Sequence, residues 1–210
     1  MELAFTKMQG TGNDFVVIDA TKKPFSLSTD TIRSLADRRY GIGFDQMLVV
    51  QPDETGQADF CYRIFNADGG EVAMCGNGAR CFALYVRSHG LTQKDRIRVR
   101  TMSGIITPEI LSDRTVRVDM GCPNFCPKNV PFNPESCESV SRKDAVLYRT
   151  KVSGISFAFG VVSMGNPHAV CLVQREQLPL VGTIGPALQA CGAFPEGGNV
   201  GHWIAYSLKQ

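Results

Sequence analysis

Apolar and polar positions alternate with period two over several short stretches of the chain and follow the helical period over few, so the pattern predicts a strand-rich molecule. Residues 2–8 and 14–19 (DFVVID) read as two strands around the glycine-bearing turn Gln9-Gly10-Thr11-Gly12-Asn13. A helix is predicted from Ser28, which can cap it, with Ile32, Leu35 and Ala36 on one face and Gly41 beyond its end. Residues 47–50 read as a buried strand. Phe60, Tyr62 and Ile64 alternate with Cys61, Arg63 and Phe65 as a strand with two unlike faces, closed by a turn over 66–70. Ala79, Phe82, Ala83 and Val86 then follow i, i+3, i+4, i+7, predicting a buried helix that begins close to Asn77. Strands return at 97–99, 104–110 and 116–118. The proline-bearing polar stretch 121–138 reads as a linker, 145–173 as strands, and 184–190 as a short helix.

One internal echo stands out. Gly12-Asn13-Asp14-Phe15-Val16-Val17-Ile18 is matched by Gly165-Asn166-Pro167-His168-Ala169-Val170-Cys171, a Gly-Asn turn feeding an apolar strand in each half. With 210 residues, this suggests two related domains, 1–120 and 121–210. The apolar share of 43% suffices for packed cores, and a net charge of +2 with mixed signs carries no footprint of a nucleic-acid partner. No apolar run reaches the roughly 18 residues of a membrane helix, and the first residues lack signal organisation, so a cytoplasmic protein with no membrane partner is expected. The eight cysteines are then expected to be thiols.

Chemistry concentrates at the head of the helix near Asn77. Cys75 stands there between turn and helix, where the dipole and unpaired N–H groups favour a thiolate; this makes it the candidate base or nucleophile. Gly76 and Gly78 would let the same amides approach a carboxylate. The alternative reading is a tight strand-to-helix turn with a small apolar cysteine. Gly10-Thr11-Gly12-Asn13-Asp14-Phe15 puts Phe15 where a dinucleotide fingerprint needs glycine. Cys122, Cys126 and Cys137 have ligand-like spacing but no fourth partner nearby, so no metal is expected. His168 is either a substrate-orienting group or a strand-start histidine with an internal hydrogen bond. No serine stands in a nucleophile elbow.

Six ordered motifs carry a resemblance: Lys7-Met8-x-Gly10-x-Gly12-Asn13-Asp14-Phe15, Arg38-Arg39-x-Gly41-x-Gly43-x-Asp45-Gln46, Phe65-Asn66-x-Asp68-Gly69, Met74-Cys75-Gly76-Asn77-Gly78-Ala79-Arg80, Gly165-Asn166-Pro167-His168 and Phe194-Pro195-Glu196-Gly197-x-Asn199. Together they resemble the diaminopimelate epimerase family, from the first residues to about Val200. The resemblance implies an α/β (α+β) fold of two similar domains, each a strand-rich barrel-like sheet around a central helix. It implies interconversion of LL- and meso-diaminopimelate for lysine and peptidoglycan precursor synthesis, without pyridoxal phosphate or metal, by a homodimer. Two cysteines on opposite faces of the α-carbon would act as thiolate base and thiol acid.

Position by position, Cys75 resembles one member of that pair. Asn13, Gln46, Asn66, Gly76, Asn77, Asn166 and Asn199 resemble the substrate contacts, and His168 a supporting position. Uncharged amides suit a zwitterion, since they donate to carboxylate and accept from ammonium. Asn13 and Asn66 have an alternative as turn residues. After Asn199 the family continues through a Glu-Arg pair to Ala-Cys-Gly-Thr-Gly with the second cysteine, and this segment is absent here. Cys191 is not its equivalent, because Ala193-Phe194 follow where Thr-Gly belongs. The expectation is therefore an incomplete second domain and impaired turnover. The alternatives are a related racemase for another amino acid and a non-catalytic binding remnant.

Overall fold

The computed structural model describes residues 3–142, 145–152, 154–164, 167–173, 175–190, 192–195 and 198–204. The chain divides into two compact units, Met1–Met120 and Gly121–Gln210, and each is a mixed sheet with few helices, an α+β fold.

In the first unit, β1 (Thr6–Gly10) and β2 (Asn13–Asp19) form a hairpin whose two-residue loop is Thr11-Gly12. Both loop residues have positive φ, 54° and 89°, the conformation a tight hairpin with right-handed twist requires. Helix α1 (Thr29–Ala36) then carries the chain to β3 (Gln46–Pro52), which lies parallel to β2 with Phe15 opposite Gln46. Ser28 caps α1 by accepting from the Thr31 N–H, as its position before the periodic run predicts. Strand β4 (Phe60–Asn66) returns antiparallel with Asn66 opposite Gln46, and β5 (Glu71–Val72) pairs with its end. Helix α2 (Gly76–Ser88) follows. Four short strands, β6 (Val99–Thr101), β7 (Gly104–Ile106), β8 (Glu109–Ile110) and β9 (Val116–Arg117), complete the unit.

Alternation along the central strands sorts side chains to two cores. Phe15, Val17, Leu48, Val50, Tyr62 and Ile64 face α2 and meet Ala79, Phe82, Ala83 and Val86. Val16, Ile18, Met47, Val49 and Phe65 face the other way and pack with Ile32 and Ala36 of α1 and with Phe44. The sheet is thus covered on both faces.

The second unit holds one five-stranded sheet: β10 (Glu138–Arg142), β11 (Ala145–Val152), β12 (Ile155–Ser163) and β13 (Pro167–Val173) run antiparallel in order, and β14 (Asn199–Ile204) lies parallel to β13. Helix α3 (Val181–Gln189) lies in the β13–β14 crossover and contributes Ile184 and Leu188 to a core with Tyr148, Phe159, Ala169 and Cys171. The opposite face of this sheet carries an apolar groove of about 510 Å³ lined by Phe125, Leu147, Val162 and Val170 among others.

The segment 121–138 corrects its reading as a linker. Val130 and Phe132 are 4% and 7% exposed and belong to the second core, Phe132 against the rings of Tyr148, Phe159 and Phe194. Asn124 bridges to Ser163 by paired backbone hydrogen bonds of 2.9 Å. Its prolines open two short 3-10 turns, Pro127–Asn129 and Pro134–Ser136, so they shape packed chain. Among the described residues, no helix is long and apolar enough to cross a membrane.

Candidate active site

Cys75 ends the extended approach from β5 and is the N-cap of α2, with φ −146° and ψ 110°. Its Sγ accepts from the Gly78 N–H at 3.3 Å, taking one of the amide donors that the first turn of a helix leaves without a carbonyl. The two glycines beside it make room for different neighbours. A Cβ on Gly76 would lie 2.9 Å from Met120 Sδ. A Cβ on Gly78 would lie 2.2 Å from the Tyr62 hydroxyl, 3.2 Å from Leu48 Cδ2 and 3.4 Å from Cys75 Sγ. The bare backbone at 78 thus lets strand β4 and the sulfur share the head of the helix.

Burial pushes the Cys75 thiol above its ordinary pKa, and the amides of Gly78 and Asn77 and the charge of Arg80 offset this only in part. The helix-terminal effect has the expected sign, and loss of hydration outweighs it. The helix end alone therefore does not set the direction of the shift.

The carboxamides form two hydrogen-bonded groups in this unit. Asn77 Nδ2 donates to Asn13 Oδ1 at 2.9 Å, and Asn13 Nδ2 donates to Asp45 Oδ2 at 3.2 Å. Arg80 donates to Asn77 Oδ1 at 2.9 Å. Next to Asp45, Gln46 Nε2 donates to Asn66 Oδ1 at 2.9 Å, and Gln46 Oε1 is buried without a partner. Asn13 opens β2, Gln46 opens β3 and Asn66 ends antiparallel β4, so all three stand at one end of the sheet.

Beneath them lies a charged clasp that the sequence reading did not single out. Asp14 accepts from Lys7 at 2.7 Å and from both terminal nitrogens of Arg38 at 3.0 and 2.8 Å, and Arg38 also reaches Asp45 at 2.8 Å. The Arg38 guanidinium, with Lys7, holds the Asp14 carboxyl well below the usual carboxylate range. Lys7 also donates to the Gly43 carbonyl. Because Asp45 takes the Asp14 N–H at 3.1 Å as well as Asn13, the clasp fixes where the first carboxamide points. The signal was available, since Lys7, Asp14, Arg38 and Asp45 all fall inside the quoted motifs.

In the second unit, His168 stands in β13 opposite Asn199, the first residue of β14, and burial pushes the imidazole below its ordinary pKa. Asn166 lies outside the described residues, as do Cys191 and the Glu196-Gly197 pair.

The sequence model of a family described as Diaminopimelate epimerase matches residues 5–126. The diaminopimelate epimerase of Laribacter hongkongensis (strain HLHK9) is 49% identical over 201 residues, 96% of this chain and 70% of that protein. That of Nitrosomonas europaea is 51% identical over 203 residues, again 96% and 70%. Among solved structures, the phenazine biosynthesis protein of the PhzF family from Bacillus anthracis has a TM-score of 0.55 at 18% identity, over 99% of this chain and 67% of that one, a likeness of fold. A hydroxyproline epimerase from Agrobacterium vitis has a TM-score of 0.53 at 14% identity, over 87% and 59%. Identity near one half across almost the whole chain, together with the family match over its first unit, shows that this chain belongs to the diaminopimelate epimerase family.

Proposed function

We propose that the chain binds diaminopimelate and that Cys75 exchanges a proton with the α-carbon from one face, as one half of the epimerisation between the LL and meso isomers. The observation that carries this reading is the Cys75 sulfur at the head of α2, 3.3 Å from the Gly78 N–H, in a helix whose Asn77 is bonded to Asn13. The α-hydrogen of an amino acid is weakly acidic, so its removal needs a base at contact distance and donors for the charge that spreads into the carboxylate. Amides of the first turn of α2, Gly76 and Asn77, are proposed to hold that carboxylate. The carboxamides of Asn13, Gln46 and Asn66 suit the zwitterion, offering N–H to carboxylate and oxygen to ammonium. In the second unit, Asn166 and Asn199 are proposed as substrate contacts and His168 as a supporting group.

To take the α-hydrogen the Cys75 sulfur must be anionic, and as the thiol so formed it exchanges with solvent and returns a proton to the same face. Arg80 and the helix amides favour that anion, and burial opposes it. Membership of the family supports the wider setting: a small-molecule isomerase of lysine and peptidoglycan precursor synthesis, a cytoplasmic homodimer.

The test is hydrogen exchange at the α-carbon of LL-diaminopimelate in D₂O, followed by proton NMR. Exchange is expected with the chain as it stands, falling at least about a hundredfold in Cys75→Ala, the scale of losing one acid–base group. Equal exchange in the two would overturn the assignment of Cys75.

A further inference from the structure

The bond between Asn13 and Asn77 lies between two groups that each admit a single role. At one end stands Asp45, whose carboxylate only accepts: Oδ2 takes Asn13 Nδ2 at 3.2 Å and the Asp14 N–H at 3.1 Å, and Oδ1 takes Arg38 at 2.8 Å. At the other stands Arg80, whose guanidinium only donates; it reaches Asn77 Oδ1 at 2.9 Å and the Thr11 hydroxyl at 3.4 Å. A carboxamide is nearly symmetric in shape, so a half-turn about its last torsion exchanges oxygen and nitrogen in place. The two ends decide between these settings. Asp45 requires the Asn13 NH₂ group, which turns Asn13 Oδ1 toward Asn77. Arg80 requires Asn77 Oδ1, which turns Asn77 Nδ2 toward Asn13. Both ends thus dictate the same middle bond, Asn77 Nδ2 to Asn13 Oδ1 at 2.9 Å.

From this arrangement we infer that Asp45 and Arg80 are positioning residues for the substrate contacts: acting through Asn13 and Asn77, they fix which atom of each carboxamide is presented to the ligand. With the line of bonds formed, each of the two carboxamides keeps one N–H and one lone pair, each in a set place. Asp45 has no part in the exchange proposed above, and Arg80 enters it only through its charge. Asn77 and Arg80 lie about one turn apart on α2, whose N-cap is Cys75, while Asn13 opens β2 and Asp45 immediately precedes β3. The line therefore ties the setting of the carboxamides to the helix that carries the sulfur. Neighbouring hydrogen bonds polarise one another, so loss of either end weakens the middle. An asparagine at position 45 would do more: facing Asn13, the Asp14 N–H and Arg38, all donors, it must turn its NH₂ against at least one of them. The inference rests on the proposed diaminopimelate site for its ligand; the orientation of the two carboxamides does not.

The test takes two readouts from the same samples: hydrogen exchange of the Asn13 and Asn77 side-chain NH₂ groups in the free protein, by heteronuclear NMR, and binding of LL-diaminopimelate, by calorimetry. In the wild type both NH₂ groups are expected to be protected relative to a free asparagine side chain, and unprotected rates overturn the inference without any variant. In Asp45→Asn the Asn13 protection is expected to fall and binding to weaken, each at least about tenfold, the scale of a lost hydrogen bond to a charged group. Unchanged protection in the folded variant, or lost protection with undiminished binding, overturns the inference. Should Asp45→Asn fail to fold, the exposed Arg80 gives access to the other end. Arg80→Met is expected to lower the Asn77 protection and weaken binding, and Arg80→Lys, which still only donates, to keep most of both. A role of Arg80 through charge alone would leave the Asn77 NH₂ group unmoved in Arg80→Met, and that result overturns the inference again. Absence of binding even in the wild type, with both NH₂ groups protected, sinks the proposed function and leaves the oriented carboxamides standing.

Discussion

His168 stands opposite Asn199 in β13 and β14, two residues beyond Asn166, just as Phe15 stands opposite Gln46 in β2 and β3, two residues beyond Asn13. The correspondence continues inward. Val16, Ile18 and Ala20 are buried beside α1, and Ala169, Cys171 and Val173, at the same spacing, are buried in the core that holds α3. Each sheet thus contains a hairpin whose second strand is followed by a helix-bearing crossover to a parallel partner, and Gln46 and Asn199 are equivalent positions at the start of that partner. The Gly-Asn echo in the sequence is the linear trace of this repeated unit.

Gln46→Leu separates binding from stability. It removes the unpartnered Oε1, which is favourable, and the donor to Asn66, which is not; each effect is about 1 kcal/mol, so the melting temperature is expected to stay close to that of the wild type. Binding of diaminopimelate, measured by calorimetry, is expected to weaken at least about tenfold. Undiminished binding would remove Gln46 from the site.

Gly78→Ala sets helix propensity against space. Alanine gains about 1 kcal/mol inside a helix, but its methyl would stand 2.2 Å from the Tyr62 hydroxyl and 3.2 Å from Leu48 Cδ2, an overpacking that costs about 1–3 kcal/mol. Steric cost is expected to win, lowering the thermal midpoint and slowing α-carbon exchange together. A variant more stable than the wild type would show that the Tyr62 ring moves freely.

Asp14→Asn tests the clasp through pH. The folded carboxyl titrates far below the unfolded one, so its contribution is present above the unfolded value of about 4 and is lost as pH falls toward the folded value. With Arg38 and Lys7 largely exposed, the contribution is discounted to about 1 kcal/mol. Denaturant melts are expected to place the variant below the wild type at pH 7 and to narrow the gap progressively as pH falls below about 4. A gap independent of pH would assign the effect to packing.

The groove on the second sheet makes a prediction about the surface. In the first unit the equivalent face is covered by α2, whereas among the described residues of the second unit Val170 and Leu147 line an apolar groove beside Phe125, which is 69% exposed. An apolar fluorescent dye is expected to bind the native protein saturably, and Phe125→Ser is expected to weaken it. Equal dye binding by the two proteins would place it elsewhere.

What the chain discloses by itself is local. The strands follow from the apolar runs at residues 14–19 and 47–50 and from alternation at 60–65, the start of α1 from the Ser28 cap, and the head of α2 from the spacing of Ala79, Phe82, Ala83 and Val86, so Cys75 falls at its N-cap without any tertiary information. What it hides depends on distant neighbours. The direction of the Cys75 shift is set by burial, which no helix-end argument contains. Residues 121–138 look like solvated chain because two apolar anchors, Val130 and Phe132, sit among prolines and polar residues with no period to betray them. Tyr62 reads as one more inward residue of β4; that its oxygen meets Gly78 needs β4 and α2 placed together.

The carboxamides occupy terminal positions of β2, β3 and β4, while the residues behind them, from Phe15 to Ile64, fill the two cores. On the proposed function, ligand preference is carried by these terminal positions and foldability by the residues behind them. Varying positions 13, 46 and 66 would then change which amino acid is bound while leaving the two cores untouched.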